Sequence, residues 1–179
     1  CMEEALLNRA EAYVMKMQED PSALDSALAD MNMYASNLFS SGFTPMTEES
    51  IKKWATETYS NYSELYVGKT SETSPQTLNP KKKLFAPPYN ALEKGSTQES
   101  MLQALLFMRR YQFLHEGMRW FDTRRFGITV YRYTLDEDDE TVLQITDQIS
   151  DEDGTPDPRR ALQLPSDVIA AGLTPNPRN

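Results

Sequence analysis

Residues 96–127, STQESMLQALLFMRRYQFLHEGMRWFDTRRFG, carry the strongest helical periodicity in this chain of 179 residues. Ser96 followed three residues later by Glu99 is typical of a capping box, so the sequence predicts a long helix that begins at this serine. Two rows of apolar residues recur at steps of three or four and together predict a wide apolar face. The first row is Met101, Ala104, Leu105 and Met108, and the second is Phe107, Tyr111, Leu114, Met118 and Phe121. Gly117 predicts a kink or a close backbone contact, and Gly127 marks the predicted end of the segment.

Two amphipathic helices are predicted before this segment. Residues 2–17 repeat apolar side chains at steps of three and four, and a second such pattern begins after Ser22, the predicted N-cap, and runs toward Gly42. Because the connection is short, we expect the two helices to pack as an antiparallel pair. Residues 1–42 are spaced as in a degenerate tetratricopeptide unit, so a tetratricopeptide-like helix pair is predicted there.

The remaining segments predict one helix, a long irregular loop and a β-hairpin. Residues 43–95 comprise a helix that begins near Thr47 and a loop rich in Pro, Gly, Ser and Thr. Residues 128–135 and 141–145 alternate in the sense of two strands, and the hairpin and tail together occupy residues 128–179, with a short helix from Ser166. The predicted fold class is therefore mainly α, and residues 1–179 are predicted to form a single unit.

Composition argues against several classes of function. The chain has 18 basic and 27 acidic residues, and its net charge of -9 opposes binding to nucleic acid. His115 and Cys1 are its single histidine and cysteine, so we predict no histidine-based metal site, no Cys–His couple and no cofactor. The acidic residues single out no opposed pair, and the seven glycines form no phosphate loop. We therefore predict that the chain is not an enzyme.

Residues 108–127, MRRYQFLHEGMRWFDTRRFG, resemble the signature of the SusD/RagB family, in which an arginine-rich helix runs into E-G-x-R-[WF]-F-D-x-[KR]-R. Residues 4–13, EALLNRAEAY, and the proline-bracketed residues 159–177 are also similar to segments of this family. The matched signature is interpreted as a structural contact among helix, turn and hairpin. The matching positions are Arg109, Arg110, Glu116, Gly117, Arg119, Trp120, Phe121 and Asp122.

The resemblance implies both a function and a location. Family members are non-catalytic outer-membrane lipoproteins that capture extracellular nutrients, mostly glycans and sometimes peptides, for a SusC-like TonB-dependent transporter. The chain resembles the C-terminal part of such a protein, which would be surface-exposed and lipid-anchored at full length, whereas residues 1–179 by themselves are expected to be soluble. Cys1 is interpreted as an internal residue rather than the lipidated one, because residues 3–17 are already helical in pattern and leave no flexible tether.

Aromatic residues in or beside the irregular region are the candidate ligand contacts for such a function. Sugars present flat CH faces that pack on aromatic rings, while polar groups at the edges bind their hydroxyls. The candidates are Trp54, Tyr59, Tyr66 and Tyr89. For Trp54 a place in the core is an alternative, because it shares the apolar face of the third predicted helix.

Two other classes of function stay open at this point. A tetratricopeptide-like helix pair favours a scaffold that binds another protein. A hydrolase whose carboxylates form no recognisable pattern is the third possibility.

Overall fold

The computed structural model describes residues 2–39, 41–57, 82–86, 89–137, 142–151 and 154–178. Its helices are α1 (Met2–Lys16), α2 (Ala23–Leu38), α3 (Glu48–Glu57), α4 (Thr97–Gln112), α5 (Met118–Phe126) and α6 (Ser166–Ala170). Its strands, β1 (Val130–Leu135) and β2 (Val142–Ile149), pair into one antiparallel sheet. The described residues therefore form a mainly helical fold with a small two-stranded sheet, which confirms the predicted class at this level.

The chain divides into two compact units. Among the described residues, the first unit comprises 2–39, 41–57, 82 and 91–122, and the second comprises 83–86, 89–90, 123–137, 142–151 and 154–178. The first unit thus contains α1 to α4 and the start of α5, and the second contains the end of α5, both strands and α6. The prediction of a single SusD-like unit stays a prediction.

In the first unit, α1 packs against α2 and α4, and α4 also packs against α3. Alanines at positions 10 and 27 are fully buried, and their small side chains allow the backbones of α1 and α2 to approach closely. The Arg9 guanidinium donates to both carboxylate oxygens of Asp30 at 2.7 Å, which joins the same two helices. The largest fully buried apolar side chains of this core are Leu7, Val14, Met31, Met101, Leu102 and Leu105.

The start of α2 differs from the predicted cap. The Ser22 side chain makes no capping hydrogen bond to the helix, and its hydroxyl and amide instead donate to the Asp20 carboxylate at 2.6 and 3.1 Å. An aspartate that accepts a hydrogen bond from the backbone two residues later forms a local turn. Because Ser22 bonds to Asp20 in this turn, its hydroxyl does not cap the helix. The helix then ends at Leu38, before the predicted stop at Gly42.

The predicted capping box at the start of α4 is present. The Ser96 hydroxyl accepts from the Glu99 amide at 3.1 Å, while the Glu99 carboxylate accepts at 3.2 Å from the amide of Gly95 rather than from that of Ser96. The start of α3 is also as predicted, because the Thr47 hydroxyl accepts from the Ser50 amide at 3.2 Å.

The prediction of one long helix across residues 96–127 is wrong. Helix α4 ends at Gln112 and α5 begins at Met118, and between them His115 and Gly117 adopt left-handed φ values of 67° and 74°. A Cβ at Gly117 would have no neighbour within 4 Å, so the glycine serves the turn and not a close backbone contact.

The break also corrects the predicted second apolar row. Helical spacing no longer relates Phe107 to Phe121 once the helix has ended, and Tyr111, Leu114 and Phe121 are all more than half exposed. The first row lies within α4 and is buried as predicted through Leu105.

In the second unit, Gly127 ends α5 as predicted. The amides of Phe85 and Ala86 both donate to the Phe126 carbonyl, at 3.0 and 3.3 Å, so a second segment lies directly against this turn. A Cβ at Gly127, where φ is 67°, would come within 2.6 Å of the Ala86 nitrogen. This close backbone approach requires a glycine.

The predicted hairpin is also present in the second unit. Its register runs from Val130 opposite Ile149 to Leu135 opposite Val142, so the second strand extends four residues beyond the predicted Ile145. The buried Arg160 side chain donates at 2.8 Å to Asp151, which follows β2 in sequence, and at 2.8 Å to the carbonyl of Ile128, which precedes β1.

Candidate functional site

An open cleft of about 680 Å³ lies in the first unit between α2, α3 and α4. Its volume is within the range of small-molecule and cofactor sites. We call it the aromatic cleft. Its lining consists of Tyr34, Ala35, Leu38, Phe39, Phe43, Met46, Ser50, Ile51, Trp54, Ala104, Phe107, Met108 and Tyr111.

Two of the residues that line the cleft are alanines. Ala35 on α2 and Ala104 on α4 are both buried, and each contributes only one side-chain carbon where three helices meet.

Aromatic rings form the walls of the cleft. The ring centroids of Trp54 and Phe107 are 5.5 Å apart in an edge-to-face arrangement, and those of Phe107 and Tyr111 are 5.7 Å apart. Phe107 and Tyr111 are four residues apart on α4, which brings their side chains to the same face. Phe39 and Phe43 also line the cleft, and their rings are stacked with centroids 6.1 Å apart.

The loop between α2 and α3 is held in place by Asn32. Its side-chain amide donates to the Met46 carbonyl at 2.9 Å, and its side-chain oxygen accepts from the Met46 amide at 2.7 Å. This two-way pairing fixes the loop that carries Phe43 and Met46 against α2.

Polar groups of the lining are mostly bonded to the protein itself. The Tyr34 hydroxyl donates to the Gln112 side-chain oxygen at 3.1 Å, and burial raises the pKa of this tyrosine above its usual range. The Ser50 hydroxyl donates to the Thr47 carbonyl at 2.9 Å and accepts from the Thr47 amide at 2.8 Å. None of the described residues that line the cleft carries a charge at neutral pH.

The rim of the cleft is apolar and accessible. Among the lining residues, Phe39 is 58% exposed, Tyr111 is 72% exposed and Leu38 is more than half exposed. Exposed apolar side chains that continue into a cleft are typical of a binding surface.

The structure separates the four predicted ligand contacts. Trp54 lines the aromatic cleft, whereas Tyr89 belongs to the second unit, where its ring packs on Phe126 with centroids 4.4 Å apart. Tyr59 and Tyr66 lie outside the described residues. Their role as ligand contacts stays a prediction.

Besides Tyr34 on α2, four aromatic cleft residues are not among the candidates that the sequence provides. The spacing of Phe107 and Tyr111 on α4 is visible in the sequence, but it indicates a buried row rather than a cleft wall. Phe39 and Phe43 lie at the end of α2 and in the following loop, where no periodicity relates them to α3 or α4. Only the packing of helices that are distant in sequence brings these rings together.

The signature residues Arg109 and Asp122 form a buried ion pair in the first unit. The Arg109 Nε donates to the Asp122 oxygens at 3.0 and 3.2 Å, and another guanidinium nitrogen donates to the Asn8 side-chain oxygen at 2.6 Å. In a continuous helix, residues this far apart in sequence would be separated by about 20 Å along the axis. The break between α4 and α5 is therefore what allows this pair to form, and the pair joins α1, α4 and α5.

Other signature positions differ in exposure. Arg110, Glu116 and Phe121 are exposed, whereas Arg119 and Trp120 are half-buried. Only some of the signature residues therefore contribute to the packing of the first unit.

Over the described part of the chain, no cluster of three or more His, Cys, Asp or Glu side chains is placed to hold a metal ion. No helix in the same residues is both long and apolar enough to cross a bilayer. Comparison of the chain with models of protein families, with curated proteins and with solved structures found no match.

Proposed function

We propose that this chain is part of a non-catalytic nutrient-capture protein of the SusD/RagB type. The proposed protein is anchored at the outer membrane and passes its ligand to a SusC-like TonB-dependent transporter. The observation that carries the proposal is the ordered resemblance of residues 108–127 to the family signature. Burial of the Arg109–Asp122 pair supports the interpretation of that signature as a structural contact rather than as a catalytic pair.

A binding role is also supported by the aromatic cleft. A concave site lined by aromatic rings, with Trp54 in its wall, is the usual form of a site for non-covalent capture. The resemblance favours a glycan as the nutrient, with a peptide as the alternative ligand class.

The proposal is tested by ligand binding and turnover with the full-length protein. We expect a panel of oligosaccharides and peptides to contain ligands that bind reversibly in isothermal titration calorimetry and are recovered unchanged. Recovery together with a TonB-dependent transporter from solubilised outer membranes is expected as well. Turnover of a glycan that is abolished by changing one acidic pair would contradict the proposal and favour a hydrolase.

A helical scaffold that binds another protein is the second candidate. The packing of α1 against α2 favours it, because stacked helix pairs present concave surfaces to partners, and α2 also lines the apolar cleft. A stable protein complex formed by the full-length chain, with no binding of any oligosaccharide or short peptide, would support this alternative.

A further inference from the structure

We infer that Lys82, Arg110 and Arg119, all in the first unit, form a binding site for a doubly charged oxyanion, either sulfate or a phosphate group. The inference goes beyond the proposed function and does not depend on it. Three observations carry it: the placement of the three cations, the absence of a partner for the Lys82 ammonium, and the exposure of Arg110.

Hydrogen bonds hold the main chain of Lys82 against α4. The Gln103 side-chain amide donates to the Lys82 carbonyl at 2.9 Å, and the Gln103 side-chain oxygen accepts from the Lys82 amide at 3.1 Å. Gln103 is buried, so this pairing fixes residue 82 beside α4. Arg110 lies about two turns later on the same face of α4, and long helical side chains lean toward the N-terminus of their helix. The Arg110 side chain is therefore directed toward Lys82.

The ion pair between Arg109 and Asp122 brings Arg119 to the same region. Arg119 and Asp122 are three residues apart on α5, so their side chains lie on one face of this helix. Because Asp122 accepts from Arg109 at 3.0 Å, that face of α5 is turned toward the last turn of α4, which also carries Arg110. Burial first, and then the charges of Arg119 and Arg110, lower the pKa of Lys82 from 10.5 to about 8, as expected for cations that lie close together.

The Lys82 ammonium has no counter-ion within the described part of the chain. None of these residues offers it a carboxylate or a hydrogen-bond acceptor, although the side chain is half-buried. Arg110 and Arg119 also interact with other groups of the protein, so Lys82 is the member of the site that supplies unused donors. A partly desolvated ammonium next to two guanidinium groups is electrostatically unfavourable, and a bound anion would remove this cost.

The chemistry of the three groups selects an oxyanion with two negative charges. An ammonium donates up to three hydrogen bonds, and guanidinium groups pair with the oxygens of carboxylate, sulfate and phosphate groups. With Lys82 protonated the site carries three positive charges, so it attracts a dianion more strongly than a monoanion such as acetate. Arg110 is exposed, which leaves the site open to a ligand from solvent. Free sulfate, free phosphate and a phosphate ester on a sugar present the same chemistry.

NMR of the lysine side chains tests this site directly. The ¹³Cε signal of Lys82, identified by its absence in Lys82→Met, is titrated with sodium sulfate, sodium acetate and glucose 6-phosphate. Sodium chloride at equal ionic strength is the reference, because salt screens all exposed charges. Isothermal titration calorimetry with the same compounds gives their affinities, and circular dichroism checks the fold of each variant.

We expect sulfate to bind at least about tenfold more tightly than acetate. Bound sulfate should raise the pH midpoint of the Lys82 signal by about one unit or more, since one unit corresponds to a tenfold preference of the anion for the protonated form. Lys82→Met should weaken sulfate binding by about tenfold and Arg119→Gln by about threefold or more, because each removes a charge that faces the anion. Lys52→Met is the matched control, since Lys52 is an exposed lysine on α3 of the same unit, and its effect should stay within twofold.

Two outcomes would overturn the inference: a sulfate affinity that Lys82→Met leaves unchanged, and a Lys82 signal that responds equally to sulfate and chloride. Acetate binding as tight as that of sulfate would overturn the assignment to a dianion. Glucose 6-phosphate that binds at least as tightly as sulfate would support a phosphate ester as the ligand, and weaker binding would support a free ion. The capture function is tested separately by the panel of oligosaccharides and peptides, so either proposal can fail without the other.

Discussion

Removing either partner of the Arg109–Asp122 pair is the perturbation whose effect follows most directly from the structure. Both side chains are about 95% buried or more, and the guanidinium bonds to Asp122 and Asn8 at once. Asp122→Ala leaves a buried guanidinium with only uncharged contacts, the Asn8 side chain and the Phe113 ring, and Arg109→Met takes a cation away from a buried carboxylate. We expect each substitution to lower the free energy of unfolding by about 3–5 kcal/mol.

The double variant Arg109→Met/Asp122→Ala distinguishes the effect of losing the ion pair from the effect of leaving a single charge buried. Because it leaves neither charge buried, it should be more stable than the sum of the single losses predicts, with a coupling energy of about 2 kcal/mol. Arg124→Met is the control, since Arg124 is an exposed arginine on α5, and its effect should stay within about 0.5 kcal/mol.

Urea denaturation followed by circular dichroism measures these free energies. The comparison requires that all variants keep the same dependence of the free energy on urea concentration. Single losses below about 1 kcal/mol, or losses that simply add in the double variant, would refute the reasoning that this pair joins three helices through buried charge.

Three further predictions concern backbone geometry and pH. Gly127→Ala should lower the free energy of unfolding by about 2–4 kcal/mol and Gly154→Ala by about 1 kcal/mol, because φ is positive at both glycines but, of the two, only a Cβ at Gly127 meets main-chain atoms. Equal decreases in the melting temperatures of the two variants would contradict this prediction. A hydrogen bond from Lys16 is the main cause that lowers the pKa of Asp20 from 3.8 to about 2, so the stability it contributes is complete above pH 3.8 and is lost as pH falls through 2. An NMR titration should give that midpoint and show it rising toward 3.8 in Lys16→Met, and an unmoved midpoint would rule out the hydrogen bond as the cause. Burial lowers the pKa of Lys82 from 10.5 to about 8, so its charged form destabilises the fold at neutral pH. Lys82→Met should therefore raise the free energy of unfolding at pH 7 by at most about 3 kcal/mol, and this gain should decrease between pH 8 and 10.5. Urea denaturation at several pH values measures the gain, and a gain that does not change with pH would contradict the prediction.

Local signals in the sequence predicted most of the secondary structure. The Ser96–Glu99 capping box, the stop at Gly127 and the alternation in the hairpin each depend on residues within a few positions of one another. Because these hydrogen bonds and steric preferences depend on residues close together in the chain, they can be recognised without a structure.

The break between α4 and α5 was not predictable in the same way. Gly117 indicated a weak point, but the left-handed conformation of His115 has a steric cost, and no pattern in the sequence predicts that conformation. The compensation is tertiary: the break brings Arg109 next to Asp122 and lets the pair reach Asn8 on α1. Periodicity alone continued the helix through this point and placed Tyr111 on a buried face, although it is largely exposed.

The sequence by itself therefore determined the mainly helical class, the helix pair, the hairpin and the two ends of the 96–127 segment. It also carried the resemblance on which the proposed function rests. The tertiary structure alone decided that this segment is two helices, that Arg109 is buried, and that Trp54 shares a cleft with Phe39 and Tyr111. The physical reason is that burial and cleft formation depend on contacts between elements far apart in the chain, and a pattern within one element does not specify which others will pack against it.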